Sequence, residues 1–556
     1  MEPQKPILSE VEIIKEKSNY LRGTLAKSLT EETSGALLSE DINLIKFHGT
    51  YQQNDRDLDT ERKKQKLEPL YSFMIRVRVP GGIASPAQYL QMDRLSDLYA
   101  NGTIKVTTRQ AFQLHGILKR NLKTTIQRIN NYLMDTIAAC GDVNRNVMCN
   151  PNPYESPIHA QVYETAKAMS QYFTPKTNAY FEIWLNNDLH YTSPKEDEEP
   201  IYGKTYLPRK FKMAFAIPPY NNTDIYSNDL GFVAIEENGK LLGFNIYAGG
   251  GMGSTFGAPE TYPRLASSLG FTPAEKAIEV AEQIIKIQRD NGNRENRKLS
   301  RLKYTIDRLG LDWFKTELNS RLGWNMEPEK PFEFKQSGDR YGWKKGNNKR
   351  WSLTLFIEGG RIRDTAESKL RTALREAIQM TDGDVRLTPN QNLILANISD
   401  DAKPFIEGIL KKYGVLSETR HSGLRLNGLA CAALPLCSLA FAEGERYLPT
   451  LIDKIDPILE EFGLRDDEII IRMTGCPNGC ARPFLGEIGL IGRAPGKYNL
   501  YLGASFTGDR LNKLYKEMLD EPAILAELRN LFEAYSKNRL INEKFGDFVM
   551  RTEVIK

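Results

Sequence analysis

Apolar and polar residues alternate through Phe73-Met-Ile-Arg-Val-Arg-Val79, a period-two pattern that predicts a strand closed off by Pro80-Gly-Gly82. Behind it Tyr89, Met92, Leu95 and Leu98 recur at helical spacing and predict a helix over 86–100. A second strand is predicted over 103–116 and a second helix over 123–138. The same order returns beyond the middle of the chain. Trp351-Ser-Leu-Thr-Leu-Phe-Ile-Glu-Gly-Gly360 reads as another strand ending in Gly-Gly, with a helix predicted over 367–380. Residues 102–117 (GTIKVTTRQAFQLHGI) align without a gap on 383–398 (GDVRLTPNQNLILANI), with Gly, Thr, Gln, Leu and Ile in matching places.

A looser pair sets residues 239–249 against 496–503. Between the repeats Ala277, Ile278, Val280, Ala281, Ile284 and Ile285 make a broad apolar face and predict a helix over 273–290. A last helix is predicted over 522–535. The order is therefore A, B, A′, B′: an extension over 1–70, A over 71–138, B over 139–345, A′ over 346–412 and B′ over 413–556. So long a period is no solenoid. It predicts an internally duplicated α+β fold of two pseudo-symmetric halves, the A units being ferredoxin-like half-domains of strand–helix–strand–helix build.

A chain of 556 residues exceeds a single core, and 40% hydrophobic with 26% charged residues is ordinary for a globular protein. A net charge of +4 is too small to argue for nucleic acid. Residues 1–17 are polar and show no apolar core of a secretory signal. No apolar run is long enough to span a bilayer, so no membrane contact is expected. Six cysteines in so long a chain point to a reducing cytoplasm.

Four of those cysteines fall in two close pairs, Cys431-Ala-Ala-Leu-Pro-Leu-Cys437 and Thr474-Gly-Cys476-Pro-Asn-Gly-Cys480. Four thiolates suit an iron–sulfur cluster or a structural zinc, and a disulfide pair is the plainer alternative. Neither spacing is the C-x2-C knuckle common at zinc, which favours the cluster. Gly475, Pro477 and Gly479 make a tight loop whose backbone N–H groups can point at sulfur. Cys140 reads as an inert buried thiol. Cys149 follows Arg145 in Asn144-Arg-Asn-Val-Met-Cys149, ahead of the turn-rich Asn150-Pro-Asn-Pro153.

Basic residues come in spaced sets. Arg76 and Arg78 lie two apart on a predicted strand and share a face. A core strand has no room for two unpaired guanidinium groups, so that face meets either an anion or solvent. Lys210 and Lys212 repeat the spacing in Pro208-Arg-Lys-Phe-Lys212. The strand predicted over 103–116 puts Lys105, Thr107, Arg109, Gln113 and His115 on one polar face, which wants a polar ligand. Gly249-Gly-Gly-Met-Gly253 is not G-x-G-x-x-G and no βαβ unit surrounds it, so no nicotinamide or flavin site is predicted. Electrons must then come from another protein.

The two cysteine pairs, with Thr474-Gly-Cys-Pro-Asn-Gly-Cys480, resemble the siroheme and [4Fe–4S] centre of the sulfite and nitrite reductases. The resemblance runs over nearly the whole chain, through Ser18-Asn-Tyr-Leu-Arg-Gly23, Phe47-His-Gly-Thr-Tyr-Gln-Gln-Asn-Asp-Arg-Asp57 and Tyr206-Leu-Pro-Arg-Lys-Phe-Lys212. It is strongest to the NADPH-dependent assimilatory sulfite reductases. It implies that B and B′ are larger α/β domains around siroheme and cluster. It implies that Cys431, Cys437, Cys476 and Cys480 hold the cluster, with Cys480 also bridging to the siroheme iron.

By the same resemblance Arg76, Arg145, Lys210 and Lys212 surround the face where sulfite binds, the arginines anchoring and the lysines delivering protons. The carboxylates of siroheme fall to Lys105, Thr107, Thr108, Arg109, Gln113, His115, Arg301, Lys303, Gln391, Asn478 and Arg482. Arg301 stands where the family leads one to expect lysine, and Ala481 where one expects glycine. With a thiolate already on the iron, His115 is expected to hydrogen-bond carboxylate or relay protons. The implied activity is six-electron reduction of sulfite to hydrogen sulfide. Nitrite reduction to ammonia is the alternative within the family, and a non-catalytic iron–sulfur or zinc scaffold the alternative outside it. The implied donor is an NADPH-dependent flavoprotein subunit, ahead of ferredoxin, met in part through the N-terminal extension.

Overall fold

The duplicated strands fold as two half-sheets of one plan in the computed structural model, which describes residues 7–176, 199–416 and 421–555 and the backbone of a hairpin at Glu182–Leu185 and Asp188–Thr192. The first half-sheet runs Thr50–Asn54, Tyr71–Val77, Phe112–Ile117, Ile104–Val106, Arg361–Ile362. The second runs Gly342–Lys345, Trp351–Leu355, Leu393–Ile398, Asp384–Leu387, Ile83–Ala84. All neighbours are antiparallel, and each sheet ends in a two-residue strand donated by the other half. Both donated strands follow a Gly-Gly turn of positive φ, at Gly81 and Gly82 and at Gly359 and Gly360. A Cβ on Gly82 would stand 2.3 Å from the Leu387 carbonyl oxygen, and one on Gly360 2.3 Å from that of Val106. The crossing chains approach only because side chains are missing there.

The helix Pro86–Tyr99 forms as expected, opened by a Ser85–Gln88 capping box with proline in its first turn. Its counterpart is Leu370–Gln379. Three expectations need correction. The strand over 103–116 is a hairpin: Thr107 Oγ1 accepts the N–H groups of Arg109 (3.3 Å) and Ala111 (3.2 Å), and Gln110 takes φ 51°. A short side chain that bonds its own backbone two residues on makes a turn that the period-two pattern does not show. Thr388 makes the same turn with Asn390 and Asn392, and there Gln391 takes φ 69°. The helix over 123–138 is shorter, Leu122–Asn130, because residue 135 is drawn away to Arg78. Arg78 N–H donates to Asp135 O (2.8 Å), and the side chains form an ion pair at 2.8 Å. The boundaries at 70 and 345 also shift, since Thr50–Asn54 and Gly342–Lys345 are edge strands of the half-sheets.

The B units carry the second repeat. Lys240–Ala248 and Lys497–Leu502, the strands of the looser pair, each lie antiparallel beside one member of a parallel pair. That pair is Met213–Ala216 with Leu230–Glu237 in B, and Ile471–Thr474 with Ile488–Ala494 in B′. In B′ a further strand, Gly428–Ala430, runs parallel to Ile471–Thr474. In B its place is taken by parallel bridges from Asn144 to Phe211 and from Met148 to Ala214. Cys149 therefore follows its bridge as Cys431 follows its strand. The helix Ala277–Asn291 buries the predicted stripe, apart from the half-buried Ile278. Glu521–Asn538 packs Ile524, Leu528 and Phe532 into the B′ core. No helix among the described residues is long and apolar enough to cross a membrane.

Candidate active site

The chain leaves the carboxyl ends of two neighbouring parallel strands directly into the two cysteine loops, the position where loops of a parallel sheet converge on ligands. Cys431 N–H donates to Met473 O (3.2 Å), and Phe441 N–H to Gly475 O (2.8 Å), which ties the loops together. Gly475 permits this, since a Cβ there would lie 2.5 Å from Ala442 O. All six cysteines are free thiols. Burial pushes Cys431, Cys437 and Cys476 up, Cys476 to about 11, and the charge of Cys480 adds to each. The four sulfurs thus share one electrostatic neighbourhood. A cluster interposes iron and sulfide between its thiolates, so they need not converge on a single ion. Thiols that resist ionising in this way also suit a metal charge, which deprotonates them. Gly475 N–H (3.4 Å to Cys431 Sγ) and Asn478 Nδ2 (3.5 Å to Cys476 Sγ) already point at sulfur.

Beneath the first loop lies a buried ion triad. Glu445 N–H donates to Cys431 O (2.9 Å), while its carboxylate meets Lys105 (2.5 Å) and Arg361 (2.6 Å). Burial opposes its charge, but Lys105 and Arg361 overcome this and hold the carboxyl down to about 2. Glu445→Gln would leave two buried cations unpaired and should destabilise the protein by about 3–5 kcal/mol, read as a lowered denaturant midpoint. The carboxyl is depressed, so its contribution is present above the ordinary pKa of 4.5 and is lost as pH falls towards 2. The glutamine variant should therefore lose the acid-induced step over that window.

Above the second loop a pocket is lined in part by Thr108, Arg109, Lys210, Lys212, Arg301, Asn478, Cys480 and Arg482, all expected from the sequence. Thr108 Oγ1 donates to Cys480 O (3.3 Å). Burial, with Arg209 and Arg301 nearby, brings Lys210 down to about 7. Burial and Lys210 lower Lys212 well below its ordinary value. Neither lysine has an ion-pair partner among the described residues. Arg109 donates to Asn228 Oδ1 (2.9 Å), Asn146 O (2.7 Å) and Met213 O (2.9 Å), yet its Nε is buried without a partner. An underpaired cationic cavity of this kind fits a polyanionic ligand.

Arg76 and Arg145 stand together, both donating to Ala139 O (3.5 and 3.2 Å). Arg145 adds a further cation to the field that lowers Lys210. Arg76 also donates to Gln113 Oε1 (3.0 and 3.1 Å). Gln113 Nε2 in turn lies 2.8 Å from His115 Nε2, and His115 Nδ1 lies 3.1 Å from Gln53 Oε1. Burial first, then Arg361, keeps His115 neutral.

Several expected residues serve the frame. Arg301 forks onto Asp229 (2.9 and 2.8 Å), and Lys303 donates to the carbonyls of Gly251 (3.1 Å), Gly253 (2.8 Å) and Tyr262. Gln391 Oε1 accepts from Ala430 N–H (3.3 Å), just ahead of Cys431. Arg482 donates to Thr108 O (2.9 Å) and Pro389 O (3.1 Å), equivalent positions of the two hairpins, and pairs with Asp224. Gly253 packs on the cysteine loop, a Cβ there falling 3.1 Å from Asn478 O, which accounts for the glycine run without a nucleotide.

Sequence reasoning missed Lys46, Tyr51 and Arg209. The Tyr51 ring lies 6.0 Å from Arg76 Cζ and 5.9 Å from Lys46 Nζ, and its hydroxyl is hydrogen-bonded to Arg145. Burial, then Arg297, brings Arg209 down to about 10. Tyr51 and Arg209 stand inside the motifs that carried the resemblance, and that was the available signal.

Comparison with known proteins agrees with this architecture. A family model described as "Nitrite/Sulfite reductase ferredoxin-like half domain" matches twice, at 65–132 and 344–413, on the two half-domains. The model "Nitrite and sulphite reductase 4Fe-4S domain" matches 164–326, the B copy, whereas the four cysteines lie in B′. The "Sulfite reductase [NADPH] hemoprotein beta-component" of Geobacillus kaustophilus is 58% identical over 550 residues, covering 99% of this chain and 96% of its own. The protein of that name from Staphylococcus epidermidis is 57% identical over 548 residues, with the same coverage. Mycobacterium tuberculosis NirA shares the fold, with a TM-score of 0.80 at 23% identity over 99% of this chain and 97% of its own. The chain belongs to the nitrite and sulfite reductase family.

Proposed function

We infer that the chain is the haemoprotein component of an NADPH-dependent sulfite reductase, reducing sulfite to hydrogen sulfide with siroheme and a [4Fe–4S] cluster. One observation carries the reading: a thiol of the cysteine loops, Cys480, opens on a pocket whose lysines make no ion pair among the described residues. Relatives that match over nearly the full length bear the corresponding name.

In this reading Cys431, Cys437, Cys476 and Cys480 would hold the cluster, and Cys480 would also serve the siroheme. Thr108, Arg109 and Asn478, with the framed Arg301, Lys303 and Arg482, line the macrocycle's place. Lys105, Thr107, Gln113, His115 and Gln391 set the walls behind it. The cofactor pair supplies an iron that holds the oxyanion and electrons delivered one at a time. The protein supplies charge and protons. Arg76 and Arg145, fixed by Gln113, Ala139 and Tyr51, anchor the dianion, since a guanidinium keeps its proton. Lys210 and Lys212 already hold their protons weakly and give them to the departing oxygens, so that water leaves. The donor is an NADPH-dependent flavoprotein, and six free thiols suit a cytoplasmic setting.

The purified protein should show the strong visible bands of siroheme and, with reduced methyl viologen, turn sulfite into sulfide. Its kcat/KM for sulfite should exceed that for nitrite. A colourless protein, or one that favours nitrite, would overturn the assignment.

A further inference from the structure

The cysteine loops show a second face, turned outward. Leu439, two residues after Cys437, is 61% exposed, and Phe256 and Phe441 are 53% and 37% exposed. The two rings meet edge to face at 5.3 Å, and the Arg493 guanidinium lies over Phe256 at 4.7 Å. Phe441 is anchored by its N–H to Gly475, next to Cys476. Arg56 reaches the same loop from the N-terminal segment, donating to Cys437 O (3.2 Å) and Ala440 O (2.6 Å). Neither Arg56 nor Arg493 has a carboxylate partner among the described residues. The patch is therefore small, apolar and rimmed by unpaired positive charge, and it is held directly on the loop of a cluster cysteine. Exposed apolar groups so placed mark an interaction surface.

We propose that Phe256, Leu439 and Phe441, with Arg493 and Arg56 at the rim, form the docking face for the electron-carrier domain of the donor flavoprotein, which meets it with an apolar contact ringed by carboxylates. The inference rests on the function proposed above and names where the donor binds. A cluster held by these loops would take one electron from the reduced flavin per encounter, and six electrons with six protons balance the conversion of one sulfite dianion to sulfide and three waters. An apolar centre keeps the carriers close, and a charged rim raises the encounter rate and fixes orientation. The N-terminal segment then shapes this face through Arg56, which bonds the loop that carries it.

The test compares two electron sources. In Leu439→Glu and Arg493→Glu holoenzymes, sulfide production with reduced methyl viologen should match wild type. With NADPH and the donor flavoprotein, kcat/KM should fall at least tenfold, and the Arg493→Glu deficit should shrink as salt rises. Calorimetric titration of the flavoprotein into each holoenzyme should show the same order of affinities, and this readout does not need turnover. Unchanged affinity and unchanged flavoprotein-driven turnover in both variants would overturn the docking face. Failure of wild type to reduce sulfite with methyl viologen would instead overturn the catalytic reading, with the titration still reporting on docking. Should Leu439→Glu lose its cluster absorbance, Phe256→Ser, on the other side of the patch, replaces it in the same comparison.

Discussion

Cys480→Ser should lower sulfide production more than about 1000-fold, a loss above roughly 4 kcal/mol in the barrier. Among the four paired cysteines Cys480 alone is exposed, because it faces the cavity rather than the packed base of the loops. Its replacement should also shift the visible bands of the haem and alter the spin-resonance signal of the reduced cluster, because in the proposed reading one sulfur would serve both. Iron and siroheme content, measured beside turnover, separates loss of coupling from loss of cofactor. Cys149→Ser is the matched control. Cys149 holds the place of Cys431 in the other half, but it is buried in the core with Sγ donating to Asn150 O (3.2 Å). Both chromophores should survive that exchange. Full turnover in Cys480→Ser would remove the basis of the assignment.

Lys210→Met and Lys212→Met should each lower kcat by about 100- to 10,000-fold, the range of a lost general acid. Their pH behaviour is the sharper signature. Lys210 without anion is half protonated near pH 7, and a bound dianion raises that value. Sulfite binding therefore takes up a proton, and above pH 7 affinity should fall by up to about tenfold per pH unit for each such group. Lys210→Arg, which stays charged, should flatten this dependence of KM while leaving kcat low. A KM in the arginine variant that still climbs with pH would assign the titration elsewhere.

The duplication was legible because it left residues in register: Thr107 with Thr388 and Gln110 with Gln391 keep their spacing since both build the same turn. The turn itself was hidden, as the threonine hydroxyls that make it leave no mark on the apolar pattern. The two close cysteine pairs stood out by their spacing, and the structure ties their loops together through Cys431 and Met473 and through Phe441 and Gly475. The basic residues were only half so. Nothing in the chain around Arg301 tells that Asp229 will claim it, or that Lys105 will be spent on Glu445, because those partners come from remote segments. Tyr51 was placed only within an N-terminal extension for the same reason. Its strand finds its role only when paired with Tyr71–Val77.

Ile83–Ala84 and Arg361–Ile362, the strands that each half lends to the other, bind the fates of two ancestral modules. A fragment cut between the halves would carry a sheet missing its last member, an open edge that invites aggregation. The pair should therefore melt as one unit, and separately expressed halves should regain solubility only on mixing. Whatever independence the single module once had, the reciprocal loan has ended it.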